Sequence, residues 1–200
     1  GGSTNIAIGS FSLLAATTAT GNTAVGYNAL TATTTGTSNT VLGYGAGDAV
    51  TTGSYNVAVG LDALGAATTP SGQVAIGYQS LLAASTSTGN TAIGYQSMKT
   101  ITTAGHGNTA LGYGTLALAT SATGNIAIGL NAMAANTTGD ANTVIGTDAY
   151  KTAQTASGIT AIGYQALSVA QSTATGNSAI GYQAGAALTT ADESTAVGYR

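Results

Sequence analysis

Residues 89–98 read GNTAIGYQSM, and near copies recur along the chain: GNTAVGYNAL at 21–30, GNTALGYGTL at 107–116, GNIAIGLNAM at 124–133 and GNSAIGYQAG at 176–185. The glycine behind the aliphatic residue marks each copy. It stands at Gly9, Gly26, Gly43, Gly60, Gly77, Gly94, Gly112, Gly129, Gly146, Gly163, Gly181 and Gly198. The steps are 17 residues nine times and 18 residues twice, so twelve copies fill the chain. A period this regular is the mark of stacked repeat units. Residues 1–200 therefore read as one solenoid with no internal linker.

Each copy carries the same local pattern. Immediately before the marker glycine stand only Ile, Val or Leu; two before it stands Ala ten times and Val twice. Three before it stands Thr, Ile, Val or, once, Ser, and one after it Tyr occurs eight times. This alternation of branched or aromatic residues with small ones has the period of a strand. One face carries Thr or Val, Ile and Tyr; the other carries Ala, Gly and often Gln or Asn. A second strand or an irregular return must follow through a Thr-rich segment such as ATTAT at 16–20 or ASTST at 84–88. It closes with Gly-Asn, as in Gly21-Asn22 and Gly89-Asn90, where glycine takes positive φ freely. The two longer steps place their extra residue in this return, where insertions belong. Gly and Thr every few residues argue against helix.

A 17-residue lap is too short for a helical hairpin and suits one coil of a parallel β-helix or β-roll. Coils about 4.8 Å apart would make a rod roughly 53 Å long. The expected class is all-β, with twelve stacked coils. Equivalent residues then form columns. Asn22, Asn39, Asn56, Asn90, Asn108, Asn125, Asn142 and Asn177 form one that can hydrogen-bond to itself. Ile76, Ile93, Ile128, Ile145, Ile162 and Ile180 are expected to form the buried spine, so that Asp at Ile93 or Ile128 would break the stack. Gly26, Gly60, Gly94, Gly129 and Gly163 mark the strand end, where Tyr27, Tyr44, Tyr78, Tyr95, Tyr113, Tyr164 and Tyr182 offer surface contacts. The Ala/Gly face leaves little side chain to fill space. Burial around the axis of a homo-oligomer, a trimer above all, would cover it; a tight coil interior is the plainer alternative.

Composition limits the function. Charged residues are 4% of the chain, against about 25% in ordinary domains. Disorder goes with few apolar residues and high net charge; here 44% is apolar and the net charge is −3. Lys99, Lys151 and Arg200 are the only strong bases, so no phosphate-tracking groove for nucleic acid can be built. No apolar run is long enough to insert in a membrane. There are no cysteines, hence no disulfide, thiolate metal site or cysteine nucleophile. No signal peptide is visible. The chain opens GGSTNIAIG and stops at AVGYR, part-way through a repeat, without the caps a stack needs. It is expected to be a segment of a longer protein.

The motif N-T-A-[IV]-G-Y-[QN]-[AS]-L with its Thr/Gly-rich return resembles the repeats of long bacteriophage tail-fibre proteins and bacterial surface fibres. Its core, SAIG or TAIG, is also similar to the head repeats of trimeric autotransporter adhesins. The resemblance covers nearly the whole chain. It implies a homotrimeric β-roll fibre, extracellular on a virion or cell surface, that displays or contributes to attachment to a glycan or protein receptor, without cofactor or catalysis. The unit here is longer than the usual adhesin-head repeat. Ile159 and Ser194 replace Asn, and Ser10, Leu61, Leu130 and Thr147 replace Tyr, which bears on strict side-chain ladders rather than on the stack.

Catalytic signals are sparse. His106, the lone histidine, lies between glycines with no carboxylate in its own coil and reads as a solvated loop residue. Asp62 and Asp148 share one phase but lie five coils apart, roughly 24 Å. Asp192-Glu193 reads as a surface turn rather than a metal site, which needs several converging oxygens. GYGAG at 43–47 and GYG at 112–114 lack the lysine and helix start of a phosphate loop. NTT at 136–138 fits the glycosylation pattern at close to chance in so Asn- and Thr-rich a chain. The tyrosines suit packing at the strand end, or else a stacking platform for sugars or bases. A binding module for glycan or ice is the alternative function, although the Thr positions in the returns read as drifting from coil to coil, where a lattice match wants them fixed.

Overall fold

The computed structural model describes residues 2–102, 104–170, 175–190 and 192–200. Every copy of the repeat contributes one three-residue strand: β1 (Ile6–Ile8), β2 (Thr23–Val25), β3 (Thr40–Leu42), β4 (Val57–Val59), β5 (Val74–Ile76), β6 (Thr91–Ile93), β7 (Thr109–Leu111), β8 (Ile126–Ile128), β9 (Thr143–Ile145), β10 (Thr160–Ile162), β11 (Ser178–Ile180) and β12 (Thr195–Val197). They form one parallel sheet in sequence order. The register places equivalents side by side: Ala75 pairs with Ala92, and Ile93 with Leu111 across a longer step. Each lap thus lies on its predecessor, as a β-solenoid.

The marker glycine ends the strand. Gly94 has φ +136°, and a Cβ there would overlap the carbonyl of Gly112 in the next coil. The same holds at Gly26 against Gly43 and at Gly163 against Gly181. Only glycine lets the laps close to strand spacing at this corner.

The return half is not a second strand. It is a chain of turns stitched to its neighbours by backbone bonds, such as Leu30 N to Ala46 O at 3.1 Å and Gln79 N to Leu61 O at 3.0 Å. Two of its positions take left-handed backbone in almost every coil: the residue two after the marker, as at Gln96 (φ 51°), and the one four after it, as at Leu81 (φ 48°) and Met98 (φ 48°). Left-handed backbone costs a non-glycine residue about 1–2 kcal/mol. At the fourth position the side chain points inward. Leu30, Leu64, Leu81, Met98, Leu116, Met133 and Leu167 are fully buried there, and burying such a side chain is worth about 1.5–3 kcal/mol. Burial outweighs strain, and this column fills the coil. Gly47 and Gly185 avoid the strain but leave a hole; Val50 and Leu188, three residues on, reach into it.

The inside and outside of the strand are the reverse of the expectation. Ala24, Ala58, Ala75, Ala92, Ala110, Ala127, Ala161 and Ala179 are completely buried, with Val41 and Val144 in the same column. The aliphatic column beside it, Ile76, Ile93, Ile128, Ile145, Ile162 and Ile180, stacks in register but faces out, half-buried or exposed. The reason is room. The turn geometry sends the Leu/Met column and the residue three beyond it into the centre, and the narrow interior then accepts only Ala or Val from the strand. The Ala face is therefore covered by its own chain and needs no oligomer to bury it.

The Thr-rich return also differs from expectation. Thr17, Thr34, Thr51, Thr68, Thr102, Thr120 and Thr137 keep one phase, and each hydroxyl donates to the equivalent carbonyl one lap on, as from Thr51 Oγ1 to Thr68 O at 3.0 Å. Thr102 is still in phase with Thr120, and Gly105 accepts from Asn90, so the extra residue of the first long step belongs to 103–104, of which 103 lies outside the described residues. That of the second falls on residues 171–174, outside the described residues.

Ala92 is 0% exposed, so Ala92→Asp buries an unpaired carboxylate at a cost of several kcal/mol and is expected to abolish the β-sheet circular dichroism of the chain. Ile93→Asp is expected to keep it. Loss of the spectrum in the Ile93 variant would return that column to the interior.

Candidate functional surfaces

Columns rather than a cleft carry the polar chemistry. The Asn column is buried and self-bonded: Asn39 Nδ2 donates to Asn22 Oδ1 at 3.0 Å, Asn56 to Asn39 at 2.9 Å, and Asn108, Asn125 and Asn142 continue the series at 3.0 Å. Each Oδ1 also accepts the next residue's backbone N–H, as from Asn142 N to Asn125 Oδ1 at 2.9 Å. The second amide hydrogen goes to a carbonyl across the lap, as from Asn125 to Gly139 O at 2.9 Å. In Asn22, Asn39, Asn108 and Asn125 all four amide capacities find partners without water. Gln73 keeps the ladder going with a longer side chain; its Oε1 accepts Asn90 N at 3.0 Å. Ile159, fully buried, ends the side-chain ladder: its N–H still reaches Asn142 Oδ1 at 2.8 Å, but it has no amide to pass on. The ladder resumes at Asn177, whose Oδ1 takes Ser194 N at 2.9 Å.

The tyrosines stack on one another at the outer end of the strand. Tyr78, Tyr95 and Tyr113 form one run, with centroids 5.0 and 4.8 Å apart, and Tyr164, Tyr182 and Tyr199 another, at 5.1 and 5.0 Å. Tyr27 and Tyr44 make a third, with Phe11 edge-on against Tyr27. Leu61, Leu130 and Thr147 separate the runs. A middle ring such as Tyr95 has both faces covered by its neighbours. Sugars and bases stack on ring faces, so these rows offer a ligand mainly ring edges and hydroxyls.

His106 is half-buried rather than free in solvent. Its Nδ1 accepts the backbone N–H of Thr88 at 3.0 Å. Ser54 Oγ does the same for Thr37 N, and Asp140 Oδ1 for Thr123 N, so the imidazole is one member of a column of turn acceptors. Asp192 Oδ1 takes Thr175 N at 2.7 Å in the same way. Asp148 meets Lys151 Nζ at 3.0 Å, which holds its carboxyl below the usual range, with Asn131 assisting. Asp48 is pushed up, chiefly by desolvation. Among the described residues no three His, Cys, Asp or Glu side chains converge.

Two shallow grooves, of about 550 and 500 Å³, run along the flank beside the tyrosines. Ala117, Ala134 and Leu118 floor the second, with Gln96, Asn131 and Lys151 on its rim. Its one cation is already paired with Asp148. Inside the rod, Tyr150 replaces Leu in the filler column; burial raises its phenol pKa, and among the described residues its hydroxyl has no partner. Asn136 is likewise buried with its amide unmatched. Sequence reading passed over Tyr150, which looks like an ordinary substitution of Leu, and met Asn136 only as the start of the NTT pattern at 136–138, whose side chain the fold buries. Among the described residues no helix is long and apolar enough to cross a membrane.

Compared with known proteins, the sequence matches no family model and no curated relative, and the fold matches no solved structure.

The Asn column supplies a direct test of what holds the laps together. Asn125→Ala strips partners from Asn142 N and Gly139 O in a dry interior, at about 1–3 kcal/mol for each stranded group. Urea denaturation should show a loss of about 2–5 kcal/mol, whereas Asn131→Ala on the outer flank should lose less than about 1 kcal/mol.

Proposed function

We propose that this chain is the shaft or head segment of an extracellular attachment fibre, of a phage tail or a bacterial surface filament, built from parallel copies and acting without catalysis. Its work is mechanical: it holds receptor-contacting parts, for a glycan or a protein, away from the particle. A homotrimer is the assembly that the adhesin-head resemblance implies.

The observation that supports this reading is the direction of the interactions. The strand ladder, the Asn ladder, the Tyr stacks and the Thr hydroxyl bonds run from lap to lap along one axis, and so do the backbone bonds that stitch the turns, with only short turn bonds closing within a lap. Such a rod resists bending and stretching, because every lap must separate from its neighbours for the length to change. His106, Asp140 and Asp192 serve as turn acceptors, and Asp148 is paired with Lys151. Antibody raised against residues 1–200 should decorate filaments projecting from the intact virion or cell. Label confined to the cytosol would end the reading.

A second reading, lattice binding to ice, gains one observation. The exposed column Thr18, Thr35, Thr52, Thr69 and Thr86 lies beside Thr17, Thr34, Thr51, Thr68 and Ser85, in phase. The inner hydroxyls are already spent on carbonyls, as at Thr17 Oγ1 to Thr34 O, 2.9 Å, and in the outer column Thr69 Oγ1 likewise donates to Ser85 O at 3.2 Å, so what supports this reading is the exposure and phase of the outer column rather than free hydroxyls. Thermal hysteresis decides it: the fibre reading predicts none at millimolar protein, and a clear freezing gap that Thr52→Lys removes would favour ice.

A further inference from the structure

The outer face of the sheet consists of three columns: the residues three before and one before the marker glycine, and the one after it. None of these positions in any of the twelve copies carries a charge. All three bases and six acids lie on the turns, two or five residues behind the marker or five or six ahead of it. The middle column is aliphatic throughout and faces out: Leu42 is 49% exposed, Ile145 37% and Ile180 44%, while Val25, Val59, Ile76, Ile93, Ile128 and Ile162 are half-buried.

This surface is large. Twelve strands at about 4.8 Å and four residue steps of about 3.3 Å give a footprint of roughly 53 by 13 Å, near 700 Å². One of its columns is Thr or Ser in eight of the twelve copies, so the face is uncharged rather than wholly apolar, with the aliphatic column running its length. Two such faces together would bury about 1,400 Å², within the range of stable protein interfaces. The face is also ruled: its ridges repeat once per lap. A partner that fills it along its whole length needs the same rise, and the chain's own sheet has that rise.

We propose that the outward Thr–Ile–Tyr face is where a second copy of this chain docks, sheet against sheet, with the rods side by side. The Ile ridge of one copy lies between the columns of the other, at the spacing of packed sheets, about 10 Å. The Tyr rows flank the contact, where aromatic residues are enriched in interfaces. The inference rests on the self-assembly part of the fibre reading, not on its attachment role, and it sets two copies face to face where the adhesin-head resemblance implies three. It also relocates the contact: the Ala face, which the sequence offered for the oligomer axis, is sealed inside each coil.

The test uses the cysteine-free chain. Native mass spectrometry should give multimers for the parent and for Thr138→Lys, on the turns. Ile145→Lys should give monomers with an unchanged β-sheet spectrum. In the assembled state Ile145→Cys should react with maleimide at least tenfold more slowly than Thr138→Cys. A parent that is monomeric at tens of micromolar overturns both the docking and the assembly reading. Multimers that survive Ile145→Lys and leave Ile145→Cys as reactive as Thr138→Cys overturn this face alone.

Discussion

Parallel stacking makes each residue the neighbour of its own equivalent one lap away, and that constraint shapes the rest. A column must be compatible with itself. Asn is, since one amide offers both donor and acceptor to the next, and Asn39, Asn108 and Asn142 use both. Tyr is, through ring stacking, and Thr is, through the carbonyl one lap on. Charge is not: like charges at strand spacing repel by about 1 kcal/mol even in bulk water. The low charge content follows. Asp62 stacks between Gly45 and Gln79, and Asp148 between Asn131 and Gln165, so that no acid faces an acid in its own column.

The same constraint sets the interior. Because every lap repeats the same cross-section, one position that is too large must be answered by a smaller one in the same lap. The filler column shows this. Leu or Met stands there in left-handed backbone, and where glycine replaces it, Val50 or Leu188 grows at the position facing it. With the centre so occupied, the strand contributes only Ala or Val inward. The larger aliphatics are forced out, and the outer sheet becomes an uncharged surface with an aliphatic column along its length. The docking of like copies proposed above would then follow from the economy of the coil rather than from a separate device.

Much of this was legible in the sequence. The period fixed the lap, the Asn column and its bonding could be foreseen, and Gly21 and Gly89 adopt the positive φ that their place before Asn suggested. The facing of the strand was not legible by hydrophobicity, because alternation separates two faces without saying which is inside, and Ile outranks Ala on any apolar scale. A steric signal was present. The inner column admits only Ala and Val, whereas the outer one three before the glycine exchanges Thr, Val, Ile and Ser freely; interiors restrict volume and surfaces do not. The filler role of Leu81 or Met98 was hidden for a different reason: propensity gives no cause to place Leu in left-handed backbone, and only burial outweighs that strain. His106 fared similarly, since its role as a turn acceptor depends on Thr88, a whole lap away in sequence.

The central claim is that residues one period apart are lateral neighbours. Nitroxide labels on Thr35→Cys and Thr52→Cys, both on an exposed column, measure it most directly by electron paramagnetic resonance. One lap of about 4.8 Å between backbones predicts strong spin–spin broadening for this pair, and much weaker broadening for Thr35→Cys with Thr69→Cys, two laps apart. A Thr35/Thr52 spectrum equal to the sum of the two singly labelled chains would contradict the stack.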